Sequence, residues 1–239
     1  YVENVVTLLD EGNTIPFIAR YRKELHGAMD DTTLRNLADR LQYLRNLAQR
    51  REEIRKSIAA QDKLTDELSA AIDAAKTLAE LEDLYRPYKP KRRTRATAAR
   101  EKGLEPLALA LFGQSPELAA PELLAKDYVN QELGVNDVSE ALAGASDIIA
   151  EMISDDAAIR KSLRTLMQRS SVVRSLVAKE QEEAGAVYRV YFDFTQPVSK
   201  LQGHQILALN RGEREGFLKV SVETDREQAL ICLRRAVLR

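Results

Sequence analysis

The chain has 239 residues, 44% of them hydrophobic and 31% charged, and a formal net charge of -1. The length allows one large domain or two ordinary ones, and the composition is that of a soluble globular protein, too apolar for general disorder and too interrupted by charge for a membrane span. Near-zero net charge excludes a global basic field, so any nucleic-acid contact has to come from a local patch.

With 10 Gly, 7 Pro and no Trp, against abundant Ala, Leu, Glu and Arg, helix formers dominate and the expected fold is mainly α. Val2, Val5, Val6, Leu8 and Leu9 predict a helix over residues 2–11, stopped by Gly12-Asn13. Thr14 as cap and Pro16 in the first turn predict a second helix over 16–25, ended by Gly27. The pair has a helix-turn-helix outline, which on this pattern alone fits a plain helical hairpin better than a DNA-reading motif. Asp30 or Asp31 caps a long amphipathic helix over 34–60, written by Leu34, Leu37, Leu41, Leu44, Leu47, Ile54 and Ile58. Gln61-Asp62-Lys63 breaks it, Thr65 restarts the pattern, and Thr77 with Glu80 forms a capping box for a short helix over 78–85 that Pro87 and Pro90 end.

Residues 97–102 predict a helix stopped by Gly103, and Pro106 opens another over 107–112, closed by Gly113. Three successive helices are expected over 123–133, 138–153 and 155–168. Residues 172–181 fit strand and helix alike. Residues 187–194 alternate in places and 217–222 alternate with period two, so a small β element is expected near the C-terminal end. Thr224 or Asp225 caps a last helix over 227–239, whose apolar face runs into the terminus as expected of a chain that continues. At the other end Tyr1 is preceded by no Met and no signal-like segment, so the sequence reads as a fragment.

The densest chemical feature is the basic segment Arg86-Pro-Tyr-Lys-Pro-Lys-Arg-Arg-Thr-Arg95, continued by Arg100 and Lys102. Prolines keep it extended, so its cations lack helical i,i+4 partners and repel one another unless an anion lies between them. Phosphate is one such anion: Arg86, Lys89, Lys91, Arg92, Arg93, Arg95, Arg100 and Lys102 supply the charge and Tyr88 a face for a base. The bland alternative is a solvated loop, or one tied to Glu80, Glu82 and Asp83. Asn210-Arg-Gly-Glu-Arg-Glu-Gly216 fits a structural turn better than a phosphate loop, and Asp193, between Phe192 and Phe194, fits an outward-facing acid. Cys232 cannot form an internal disulfide, which fits a reducing, cytoplasmic setting. His26 and His204 lie far apart without cysteine partners, which argues against zinc, and no nucleophile has a base at a recognisable spacing. Neither catalysis, a cofactor, a metal nor a small-molecule ligand is expected.

Three blocks carry a resemblance: Leu9-Asp-Glu-Gly-Asn-Thr-Ile-Pro-Phe-Ile-Ala-Arg-Tyr-Arg-Lys-Glu24, Leu81-Glu-Asp-Leu-Tyr-Arg-Pro-Tyr-Lys-Pro-Lys-Arg-Arg-Thr-Arg95 and Ala99-Arg-Glu-Lys-Gly-Leu-Glu-Pro-Leu107. With Ala141-Leu-Ala-Gly-Ala145, Tyr191-Phe-Asp-Phe194 and Ile206-Leu-Ala-Leu-Asn-Arg-Gly-Glu213, they closely resemble the bacterial Tex transcription accessory proteins. The resemblance implies a multi-helical N-terminal region over 1–186 with a basic helix-turn-helix-like part at about 62–113. Residues 187–239 would then be a small mixed element leading to an RNase-H-like domain, which the family follows with a helix-hairpin-helix domain and an RNA-binding OB-fold domain. It implies RNA or DNA as partner, with the transcription machinery as setting, and adds weight to the basic segment. It departs at Leu201-Gln-Gly-His-Gln205, where the family usually has a Pro-Ser-His-Arg-like block, so no arginine is available there; the same block leaves residues 206–211 open between helix and strand. Beside nucleic-acid binding stands a second expectation, a helical scaffold that docks the other domains or transcription partners without touching nucleic acid.

Overall fold

The architecture was analysed in a computed structural model that describes residues 1–238, and it divides into two units, Tyr1–Lys89 and Pro90–Arg239. Arg239, the last residue of the expected final helix, lies outside the described residues. No described helix is long and apolar enough to cross a membrane.

The first unit is helical throughout. Helix α1 (Val2–Asp10) is followed by α2 (Ile15–Tyr21) and α3 (Lys23–His26), which pack Val5, Leu8 and Ile18 against Leu34. The single helix expected over 16–25 is broken at Arg22, whose φ of -129° leaves the helical region. Helix α4 (Asp31–Ala59) has 29 residues, hence a length of about 43 Å. Asp30 caps it by accepting the Thr33 N–H at 2.6 Å. Its apolar stripe serves two clusters in turn: Leu34 joins the α1–α3 core, while Leu47, Ile54 and Ile58 meet Ile72, Leu81 and Tyr85 from α5 (Asp66–Ala74) and α6 (Leu78–Tyr85). Thr65 and Thr77 cap α5 and α6 as expected. The Glu80 carboxylate, however, accepts the Lys76 N–H at 2.8 Å, one residue before the Thr77 N–H that a capping box requires.

In the second unit α7 (Arg95–Glu101) starts two residues earlier than expected because Thr94 caps it, accepting the Thr97 N–H at 3.1 Å. It packs with α8 (Glu105–Gly113) and α9 (Pro121–Lys126) on α10 (Val138–Asp155), around Leu104, Leu107, Ala141, Ala145 and Ile148. Small residues make this possible: a Cβ on Gly144 would stand 2.3 Å from Leu104 Cδ1 and 3.3 Å from Ala99 Cβ. The helix expected over 123–133 ends at Lys126 instead. Asn130 accepts the N–H groups of Glu132 and Leu133 and its backbone bridges to Val135, so local side-chain bonding outcompetes the helix there.

Helix α11 (Ala157–Ser170), capped by Asp156, leads into a three-stranded antiparallel sheet of order β2-β1-β3. The ambiguous segment becomes β1 (Val172–Val177), the central strand, with Val173 opposite both Gln196 of β2 (Asp193–Pro197) and Val222 of β3 (Leu218–Glu223). Within the segment 187–194, read as alternating in places, residues up to Tyr191 belong to a 3-10 turn (Ala186–Tyr191): Tyr188 and Tyr191 face the core three apart while Val187 and Val190, also three apart, stay in solvent. The open segment 206–211 falls inside α12 (Gly203–Arg214), which lays Leu209 over Val173, Tyr188 and Leu218. Gly212 is needed there, since a Cβ would meet Leu218 Cδ1 at 2.6 Å. The last helix, α13 (Arg226–Val237), is capped by Asp225 and packs on α11. Asp193 is exposed, as its outward-facing reading expects.

Candidate nucleic-acid interface

The basic segment is divided by the unit boundary after Lys89, and so is the helix-turn-helix-like stretch 62–113. On the first unit Arg86–Tyr88 forms a 3-10 turn, not extended chain, with Arg86 and Lys89 exposed. Tyr88 is half buried against the α4–α6 core and its carbonyl accepts Gln61 Nε2 at 3.0 Å, so its ring serves packing.

On the second unit the anion that the cations require is supplied from within. Helix α10 carries Asp147, Glu151 and Asp155 at intervals of four, one acidic stripe along one face. Asp147 stands 3.6 Å from Arg95, and Glu151 stands 2.7 Å from Arg100 and 3.5 Å from Lys91, which also pairs closely with Asp155. Thr94 donates to Glu151 at 3.0 Å, Glu105 takes a second bond from Arg100 at 3.1 Å, and Glu101 pairs with Arg93 at 2.6 Å. Lys102 donates to the Gly134 carbonyl at 2.7 Å. The acids near it in sequence, Glu80, Glu82 and Asp83, lie in the first unit together with Arg86 and Lys89; there Glu82 takes Arg50 and Glu80 accepts the Lys76 N–H.

Glu151 is the hub, with only 15% of its side chain exposed. Burial pushes its carboxyl pKa up, but the hydrogen bonds from Arg100 and Thr94 and the charges of Lys91 and Arg100 outweigh that and hold it below the usual range. The Glu151 hydrogen bond in turn holds the Arg100 guanidinium above its usual value, against burial and with help from Glu105. The seam therefore fixes Lys91 and Arg100 structurally. Outward it offers Arg92, Arg93 and Arg95, of which Arg95 is 89% exposed. Among the described residues no carboxylate answers Lys89 or Arg92.

Sequence reading found the cations but missed Asp147, Glu151 and Asp155 as their partners, although the spacing of four was there to be read. Among the described residues no group of three or more His, Cys, Asp or Glu could hold a metal ion. His26 is buried in the first unit with both ring nitrogens unbonded, His204 is exposed in the first turn of α12, and Cys232 is half buried beside α11.

The structure thus joins an acidic stripe to an arginine-rich segment in a mainly helical chain with one small sheet, and leaves several cations exposed at its surface. Residues 1–59 match the Tex-like protein N-terminal domain and residues 116–236 the Tex central region-like family. The chain belongs to the Tex family. It is 50% identical over 224 residues to Protein YhgF of Escherichia coli and 43% identical over 222 residues to Transcriptional accessory protein Tex of Neisseria gonorrhoeae, covering 94% and 93% of this chain and 29% of each relative. It is also 33% identical over 226 residues to the human S1 RNA-binding domain-containing protein 1, covering 92% of this chain and 22% of that relative. The chain thus spans under a third of the length of these relatives.

Proposed function

We propose that this chain is the helical module of a Tex-like transcription accessory protein that contacts RNA or DNA through the exposed cations of its basic segment. It works by binding and not by catalysis, in the cytoplasm and beside the transcription machinery, with the helices up to the end of α11 as the helical region and the small sheet with α12 and α13 leading towards an RNase-H-like domain. The observation that carries this reading is the run Lys89, Arg92, Arg93 and Arg95, four exposed cations within seven residues of a chain whose net charge is -1. Relatives named for transcription and for RNA binding support it. If Lys89, Arg92 and Arg95 each neutralise a phosphate, replacing all three by Ala reduces the slope of log affinity against log salt by roughly 2 to 3 units, at about 0.7 to 0.9 per contact. An unchanged slope, with circular dichroism intact, would falsify the role of this segment. That result favours the second reading, a docking scaffold, which the clamping of Lys91 and Arg100 onto α10 supports.

A further inference from the structure

Helix α2 has an inward side that packs and an outward side that carries rings and charge. Ile18, its buried residue, joins Ile15 and Ala19 in the α1–α3 core. Phe17, Arg20 and Tyr21 fall within about 100° of one another on the flank away from Ile15 and Ala19, at about 100° per residue. Neither aromatic takes part in that core. Phe17 is half buried and Tyr21 is 57% exposed, with ring centroids 5.2 Å apart and the ring planes tilted by 47°. Arg22, where the helix breaks, lays its guanidinium over the Phe17 ring at 5.3 Å from the centroid, and its Nη1 donates to the Tyr21 carbonyl at 3.3 Å. Phe17 is therefore engaged by Tyr21 and Arg22, whereas Tyr21 stays largely in water.

The surroundings of that ring are basic. Residues 15–29 hold Arg20, Arg22 and Lys23 against one acid, Glu24. Arg20 and Lys23 are exposed, and among the described residues no carboxylate lies within ion-pairing distance of either. Adjacent like charges repel, and a ring left in water forgoes its burial energy, so packing alone does not account for this run. An aromatic face set among cations is the pairing that holds single strands: a base stacks on the ring or on a guanidinium plane, and the cations draw the backbone alongside. Stacking tolerates any sequence, since every base has a π face. A duplex cannot use it, because its base faces stay stacked inside.

We propose that Tyr21, backed by Phe17 and Arg22, is a stacking platform for an unpaired base of single-stranded RNA or DNA, with Arg20 and Lys23 flanking the strand. The platform lies in the first unit, uses none of the cations of the basic segment, and shares with the reading above only its class of partner. The eight tyrosines give the readout. The chain carrying 3-fluorotyrosine is titrated with a uridine tetramer and, in parallel, a thymidine tetramer, and followed by 19F NMR. The Tyr21 resonance, assigned as the one missing from Tyr21→Phe, shifts, while that of Tyr85, buried in the α4–α6 core, stays in place. Tyr21→Ala weakens tetramer binding about fivefold or more, and Tyr21→Phe, which keeps the ring face, binds as wild type does. Should Tyr21→Ala lose its helical circular dichroism, the wild-type titration decides alone.

A tetramer that binds, as its own proton resonances show, and leaves Tyr21 unmoved overturns the platform. So does a folded Tyr21→Ala chain that binds undiminished, a duplex that moves Tyr21 where the tetramers do not, or the absence of any tetramer binding at millimolar concentration. In each case the salt slope of the Lys89, Arg92 and Arg95 variant still tests the basic segment by itself. Conversely, a Tyr21 response beside an unchanged slope in that variant upholds the platform and removes the basic segment.

Discussion

Replacing Glu151 by Gln keeps the volume of the hub and removes its charge. The carboxylate accepts from Arg100 at 2.7 Å and Thr94 at 3.0 Å and lies 3.5 Å from Lys91. Hydrogen bonds to charged groups contribute about 1.5 to 3 kcal/mol each, yet Arg100 retains Glu105 and Lys91 retains Asp155, so the expected loss is about 2 kcal/mol. For a chain of this size that lowers Tm by about 4 to 8 °C. Urea denaturation followed by circular dichroism measures the difference, and pH gives it a signature. Because the folded pKa of Glu151 is depressed, its contribution is complete above the unfolded value of about 4.3 and is lost as pH falls through the folded value. The gap between wild type and variant therefore closes in acid. A gap below about 0.5 kcal/mol at pH 7, or one that stays constant into acid, would refute the hub.

Gly144→Ala forces a methyl against Leu104, itself fully buried, and should cost about 1 to 3 kcal/mol of overpacking, partly offset by up to about 1 kcal/mol of helix propensity; thermal denaturation reads the sum, and a stabilised variant would contradict the close approach of α10 to Ala99 and Leu104. Tyr188 donates to Glu215 at 2.6 Å, and that bond, with burial second, holds its hydroxyl pKa above the usual value. In an alkaline titration followed by tyrosinate absorbance, Tyr188→Phe removes a component from the high-pH end of the curve; loss of one from the middle would argue against the bond.

Helix α4 could be read from residues alone because two local signals agree on it, the spacing of Leu34 to Ile58 and the cap at Asp30. The caps at Thr65 and Asp225 are equally local. Errors arose where a competing local bond or a different period decided the outcome. Asn130 captures the backbone that helix periodicity assigned to 123–133, and Tyr188 and Tyr191 follow a period of three that resembles broken alternation. The basic segment was visible as composition. What neutralises it was not, because Lys91 meets Glu151 and Asp155 only after α7 and α10 pack, across some sixty residues of chain. The stripe of Asp147, Glu151 and Asp155 announces a charged face but does not say which segment will cover it.

The central claim, electrostatic contact with nucleic acid by this chain, is tested most directly by the affinity of the wild-type chain for a labelled single-stranded uridine 20-mer measured by fluorescence anisotropy across a series of salt concentrations. The four exposed cations of the basic segment predict a line whose slope lies between about -2 and -3, at about 0.7 per phosphate contact on a single strand. No binding at the lowest salt, or binding whose slope is near zero, contradicts the account.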